Sequence, residues 1–355
     1  MGILKLNEMK TNSKTIALPN CSKNVNHNVI RVLTISLFII LLMSCSKNDD
    51  NDIIIDQILN GQELAAAIIE NREEAIQTSD INSTSYSEVY GSEGTILGIP
   101  ANSFTDQDGN LVTGSVTIQL IEIYDKAKML LTKMPTNGKN SDGDIATLVS
   151  GGEFYINATQ NNEQLQLVNG ISLFAPADNF DTEMILFSGE DNDCNGDELT
   201  CDIVWEENEE NGELEIIQRE GPDGAGVTGY GGFISNFGWT NIDRWYNDPR
   251  PKTMLYVDVP EGYDNTNCNV YVSYDGEPTA LALLDIYDPE TGLFSEHYGQ
   301  IPIGLEVHFI FVSVQDGDYV YAIQGATITE DHVEVISTTN SGTEAALIDL
   351  INALP

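Results

Sequence analysis

Ser115-Val-Thr-Ile-Gln-Leu-Ile-Glu-Ile-Tyr124 alternates polar and apolar residues along a ten-residue run, with one slip at Leu120-Ile121. A strand's side chains repeat every two residues, so this order becomes one wet face and one buried face only if the segment is extended. Further strand-like runs, alternating or continuously apolar, are Thr95–Ile99, Gly151–Ala158, Gln164–Val168, Gly170–Ala175, Met184–Phe187 and Glu213–Ile217. After Asp248-Pro-Arg-Pro251 such runs resume in Thr253–Val259, Asn269–Tyr274, Ala280–Tyr287, Leu305–Val314, Asp318–Gln324 and His332–Ile336. Turn residues separate these runs. Asp106-Gln-Asp-Gly-Asn110 and the hairpin tip Asp316-Gly317 are the clearest, because Asp and Asn bond the local backbone and Gly supplies positive φ.

Many short strands with turns between them predict an all-β fold with two β-sandwich (Ig-like) modules, over residues 88–248 and 249–355. Helical spacing of Ile54, Ile55, Ile58, Leu59, Ala65, Ala66, Ile69, Ala75 and Ile76 predicts a helix over residues 53–78 that Gly61 breaks or bends. This helix is either a stalk or docked on the first module. Thr78–Ser87 reads as a linker. Thr343–Leu354 reads as a C-terminal helix capped by Ser341 or Thr343.

The start of the chain predicts an address. Lys5, Lys10, Lys14, Lys23 and Arg31 precede an uncharged run, Val32 to Cys45, reading VLTISLFIILLMSC. The run is short for a membrane span, which takes about 20 apolar residues, and its basic flank suits a secretory signal over residues 1–44. The start codon is Met1 or Met9. Leu42-Met43-Ser44-Cys45 resembles the lipobox of bacterial lipoproteins. The resemblance implies cleavage before Cys45 and acylation of its thiol and new amine. Such chains hold a protein to a membrane, since each buried CH₂ contributes about 0.8 kcal/mol. The competing reading is a transmembrane helix from about Ile30 to Cys45. Residues 45–87 then form the lipidated Cys, an acidic tether and the helix. The tether, Ser46-Lys-Asn-Asp-Asp-Asn-Asp52, resembles the signal for outer-surface display in Bacteroidetes lipoproteins. A bland tether facing the periplasm looks similar.

Charge narrows the partners. The net charge is −41, and all but five of the 15 basic residues and all but one of the 56 acidic residues follow position 44. Such a polyanion repels phosphate backbones, so nucleic acid is excluded as a partner. A solvated acidic exterior needs no function, although it also attracts divalent cations. Cys194 and Cys201 can close a small disulfide outside the cytoplasm. Cys268 is left over and reads as a buried thiol.

Ile99–Leu120 (IPANSFTDQDGNLVTGSVTIQL), Ser150–Thr159 (SGGEFYINAT) and Phe237–Thr253 (FGWTNIDRWYNDPRPKT) resemble a module recurrent in Bacteroidetes lipoproteins. The first stretch is also distantly similar to the β-sandwich domain of ankyrins and netrin receptors. The resemblance spans Tyr90 to Thr253. It implies a sandwich and surface placement, and no activity.

Three constellations stand out. Asp191, Asp193, Asn195 and Asp197, with Gly196 among them and Asp202 beyond, resemble the start of an EF-hand loop that would hold Ca²⁺. Asp202 replaces the bidentate Glu, the flanks read as strands, and a Cys194–Cys201 bond would stiffen the loop, so a solvated hairpin tip is the competing reading. Gly224-Ala-Gly-Val-Thr-Gly229 fits GxGxxG. No helix follows it, so it reads as a connection passing close to the sandwich rather than a dinucleotide site. Trp239, Asp243, Arg244 and Trp245 form either a domain-junction clamp, with Asp243 pairing Arg244 or Arg250, or a carbohydrate platform. His308 lies in an apolar strand and His332 in a turn, without a catalytic arrangement around them. No cofactor is required on this reading. The chain is therefore read as a non-enzymatic, lipid-anchored binding or scaffolding protein of the outer membrane, with a protein or glycan ligand. The alternatives are a glycan-binding or glycan-processing surface protein and a purely structural envelope lipoprotein.

Overall fold

The structure is a computed structural model that describes residues 61–192, 199–208, 214–220, 226–296 and 299–355. All of these belong to one compact unit, Asp56–Pro355. The described residues are all-β, with three short helices: α1 (Gln62–Glu74), α2 (Lys126–Leu131) and α3 (Glu344–Asn352). Residues 1–60, Cys45 among them, lie outside the described residues.

The largest sheet is ordered Gln77–Asn82, Ser115–Ile123, Ile145–Gln160, Gly238–Trp245, Ile185–Asn192, Asp202–Glu207, Asn137–Lys139. Asn137–Lys139 also pairs back, antiparallel, onto Ile145–Gln160. Five strands therefore close into a ring, which removes their free edges. Leu148, Phe187 and Trp205 lie fully buried on the ring's packed face. The Trp205 indole donates to Pro135 O at 2.9 Å, so its one polar atom is satisfied.

A five-stranded sheet, Glu215–Glu220, Gly226–Ile234, Ile171–Pro176, Ile96–Ile99, Ser87–Tyr90, packs on the other face of the largest sheet. Leu97, Ile99, Ile118, Phe154, Ile156 and Leu173 fill the core between them. The C-terminal strands form a further five-stranded sheet, from Leu281–Leu283 to Asn340–Gly342, and a four-stranded sheet, from Ile286–Asp288 to His332–Val335. Leu255, Val257, Val270, Phe309 and Phe311 make their core. A third core joins the two sets through Ile121, Met129, Tyr271, Ile310, Leu347 and Ile351. Hydrogen bonds tie the same junction: Asn137 Nδ2 donates to Leu283 O at 3.0 Å, and Asn137 Oδ1 accepts from Leu283 N at 2.8 Å.

Several expectations need correction. Among the described residues the first helix runs Gln62–Glu74 and so ends before residue 78; residues 53–60 lie outside the described residues. It is docked, since its Arg72 is 1% exposed. The linker Thr78–Ser87 is largely a strand, paired from Gln77↔Leu120 to Asn82↔Ser115. Its polar residues misled because an edge strand needs few apolar positions, and only Ile81 is buried in it. Ala280–Tyr287 is two strands, Leu281–Leu283 and Ile286–Asp288. His332 starts a strand rather than sitting in a turn. α2 carries no periodic signal of its own in the sequence; Asp125 caps it by accepting from Lys128 N at 3.0 Å. Thr343, not Ser341, caps α3. The Asp316-Gly317 tip has φ 55° and 82°, as a type I′ turn requires.

Gly229 shows how closely the sheets are built. A Cβ placed there would lie 2.1 Å from Ala175 O and 2.8 Å from the Phe174 ring. We expect Gly229→Ala to lower stability by about 1–3 kcal/mol, because a backbone oxygen cannot move aside as a side-chain tip can. Urea unfolding measures it, and an unchanged midpoint would contradict the packing described.

Candidate functional site

Ser150-Gly151-Gly152-Glu153 builds the centre of the molecule. On the neighbouring strand Asn241 faces Glu153 and Asp243 faces Ser150, with a register shift between. Two residues, Gly151 and Gly152, thus oppose the single Ile242. Without this bulge Ser150 and Glu153 would point to opposite faces; with it, both join Asn241 and Asp243. Gly152 has φ 139°, and a Cβ there would lie 2.6 Å from the Tyr124 ring. That close approach is why the strand carries glycine at this point.

The face so formed is polar and dry. Ser150 Oγ donates to Asn241 Oδ1 at 2.9 Å, and Asn241 Nδ2 donates to Asp243 Oδ2 at 2.7 Å. Both Glu153 oxygens and Asp243 Oδ1 lack a hydrogen-bond partner among the described residues. Both carboxyls are 0% exposed. Burial holds the Glu153 pKa well above the ordinary carboxylate value; Asp243 adds to this and Arg72 opposes it. Burial does the same to Asp243, partly offset by Ser150.

The outer side of the bulge opens into a cleft of about 700 Å³ between the two sets of sheets. Its walls include Tyr124, Lys126, Phe180, Tyr230, Arg244 and Glu277. Arg244 joins the walls: Nε lies 2.6 Å from Asp181 Oδ2, and Nη2 lies 3.0 Å from Glu277 Oε1. Thr279 Oγ1 donates to Ser150 O at 2.6 Å, a second tie across the floor. Lys126 Nζ donates to Ser273 Oγ at 2.7 Å and to the carbonyls of Tyr274 and Pro355 at 3.3 and 3.4 Å. Burial lowers the Lys126 pKa to about 8, against the charges of Asp275 and Glu277. The Phe180 and Tyr230 rings meet edge to face at 5.7 Å on another wall.

Strand alternation divides the tryptophan–arginine cluster that the sequence placed together. Trp239, Asp243 and Trp245 share the inner face, while Arg244 points into the cleft. The tryptophans therefore do not sandwich Arg244. Trp239 is 5% exposed and packs on Tyr155 at 5.3 Å. Trp245 lies edge-on to Phe187 at 5.6 Å and donates to Glu207. Asp243 pairs with neither Arg244 nor Arg250. Arg250 instead binds Asp248 through Nη2 at 2.6 Å, and that hydrogen bond pulls the Asp248 pKa down to about 2.

The EF-hand-like loop joins the strands Ile185–Asn192 and Asp202–Glu207, paired Asn192↔Asp202. Asp193, Cys194, Asn195 and Asp197 lie outside the described residues, as does the side chain of Asp191. Asp202 is ion-paired with Lys133 at 2.8 Å. Cys201 is disulfide-bonded. Cys268 is a buried free thiol, and burial raises its pKa. His308 Nδ1 lies 2.7 Å from Asp275 Oδ1.

Sequence reasoning missed Lys126, Glu153, Asp181, Asn241 and Glu277. One signal was present: the Gly151-Gly152 pair inside a strong strand pattern marks a bulge or a close approach. The others are single polar residues with no local pattern.

A scan against protein-family models matches none, and a search of the curated proteins finds none that matches.

Proposed function

We propose that the chain is a lipid-anchored, cell-surface binding or scaffolding protein without catalytic activity, built of two sandwich modules that divide near Asp248. The observation that carries this reading is the junction cleft and the engagement of its charges. Asp181 and Glu277 both hold Arg244, and the Lys126 ammonium has three acceptors. Groups fixed in this way shape and tie a recess. A glycan-processing hydrolase would instead set two carboxylates across an open cleft to act as acid and base or nucleophile. Here Glu153 and Asp243 are sealed behind the floor, and Asp181 and Glu277 are committed to one guanidinium.

The address rests on the uncharged run Val32–Cys45, the lipobox-like end at Cys45 and the acidic tether after it. The disulfide at Cys201 suits an oxidising compartment. Metabolic labelling with an alkyne fatty acid should mark the wild-type chain and leave Cys45→Ala unlabelled, and added protease should remove the wild type from intact cells. Equal labelling of the two chains would sink the anchor. Full protection from protease would turn the protein to the inner side of the membrane.

A further inference from the structure

A row of residues crosses the five-stranded sheet that ends at Ser87–Tyr90. Glu88 pairs with Gly98, Gly98 with Ser172, and Ser172 with Phe233. Their neighbours along the strands, Leu97 and Leu173, point into the core, so this row lies on the outer face. The next outward row holds Tyr90, Phe174 and Gly231. Tyr86, Tyr90 and Phe233 are 58%, 57% and 50% exposed, whereas single exposed aromatics elsewhere need no explanation. The floor between them is low. A Cβ on Gly98 would lie 2.3 Å from Ser172 Oγ and 2.9 Å from Tyr86 Oη. A groove of about 300 Å³ opens beside Ser172, Phe174, Arg219 and Phe233.

The aromatic groups on the edge strand are held in place. Tyr86 Oη donates to Glu88 Oε1 at 3.0 Å, and Tyr90 Oη donates to Glu88 Oε2 at 2.6 Å. Arg219 Nη1 lies 3.3 Å from Glu88 Oε1, and its guanidinium sits 5.9 Å from the centre of the Phe174 ring. Three strand spacings separate the strand of Tyr90 from that of Phe233, about 14 Å.

We propose that this outer face is a binding platform for a neutral polysaccharide, with the rings of Tyr86, Tyr90 and Phe233 as its stacking surfaces and Glu88, Arg219 and Ser172 as its polar contacts. A sugar ring presents an apolar C–H face and a rim of hydroxyls, which matches exposed rings set beside fixed donors and acceptors. The net charge of −41 repels anionic polymers and leaves neutral ones. Preset rings lose little freedom on binding. The proposal uses the surface-binding reading only for access to polymer; it does not involve the junction cleft or Cys45.

The test is native affinity electrophoresis of the full chain in detergent, through gels containing soluble β-glucan, xylan, α-glucan or galactomannan. At least one polymer should retard the wild type. Tyr90→Ala and Phe233→Ala should each weaken that affinity by about tenfold. Phe233→Tyr should keep it, and so should Val333→Ala, an exposed apolar change on a different sheet. The melting temperatures of all variants should match the wild type, since these side chains are exposed. Passage of the wild type unretarded through all four gels overturns the proposal. So does retardation that survives the Tyr90→Ala/Phe233→Ala double variant, or a wild-type dimer that the double variant abolishes, which would give the face to a second copy. An anchor failure at Cys45 would leave these retardations unchanged, so the two readings fail separately.

Discussion

Arg72→Leu lowers the stability of the fold by about 3–5 kcal/mol, on the scale for stripping partners from several buried polar groups at once. The guanidinium is 1% exposed and serves four carbonyls. Nε donates to Thr132 O at 2.6 Å, Nη1 to Leu199 O and Cys201 O at 2.9 and 2.7 Å, and Nη2 to Lys133 O at 3.1 Å. It thus ties α1 to the end of α2 and to the segment entering the strand at Asp202. Leucine fills part of the volume but supplies no donor to any of those acceptors. Burial also lowers the Arg72 pKa, with Asp202, Tyr271 and Glu153 opposing that shift. Arg72→Lys keeps the charge but replaces a planar fork with a compact ammonium, so it recovers less than half of the loss. At about 2.1 cal/mol/K of unfolding entropy per residue, a loss of 3 kcal/mol in a unit of this size moves the melting temperature by roughly 5 °C. Thermal and urea unfolding of the two variants check this. A change below about 1 kcal/mol for Arg72→Leu would mean the clamp is not what holds α1.

The second large effect is a stability that falls as pH rises. Glu153 and Asp243 have folded-state pKa values raised above their unfolded ones. The folded state therefore keeps protons that the unfolded chain has released, and stability drops once pH exceeds the ordinary carboxylate range near 4. Each carboxyl so held contributes up to about 1.4 kcal/mol of loss per pH unit until it ionises in the folded state. Glu296, raised by burial to about 7, acts in the same direction between about pH 4.5 and 7. Asp248, lowered to about 2 by Arg250, has the opposite sign, but its contribution is complete by about pH 5. Lys126, lowered to about 8, adds stability as pH rises only above that value. Between pH 5 and 7 the buried acids dominate. Glu153→Gln with Asp243→Asn should flatten the unfolding free energy across that window and make the variant more stable than wild type at pH 7. A wild-type profile that is level, or that climbs from pH 5 to 7, would remove the case for a protonated pair.

These effects sit where reading the sequence was weakest. The Ser115–Tyr124 alternation leads directly to the strand Ser115–Ile123, because its period is local and strong. In the sequence Arg244 belongs to one cluster with Trp239, Asp243 and Trp245, but neighbours along a strand face opposite ways. What looked like one site is therefore two: a packed aromatic face and a cleft-facing cation. No local pattern marks Arg72 or Glu153 as buried, since α1 carries many acids and nothing near Glu153 in the chain accounts for its burial.

By itself the sequence determined the all-β class and the Asp316-Gly317 turn and narrowed the cap of α3 to Ser341 or Thr343, since each depends on residues within a few positions of one another. Tertiary structure alone decided which polar groups are buried and which line the cleft. Those outcomes depend on the Ser150–Asp243 register, on the bulge at Gly151-Gly152, and on the docking of α1 onto strands remote in the chain. No local pattern encodes such distances, because burial is set by what arrives from elsewhere.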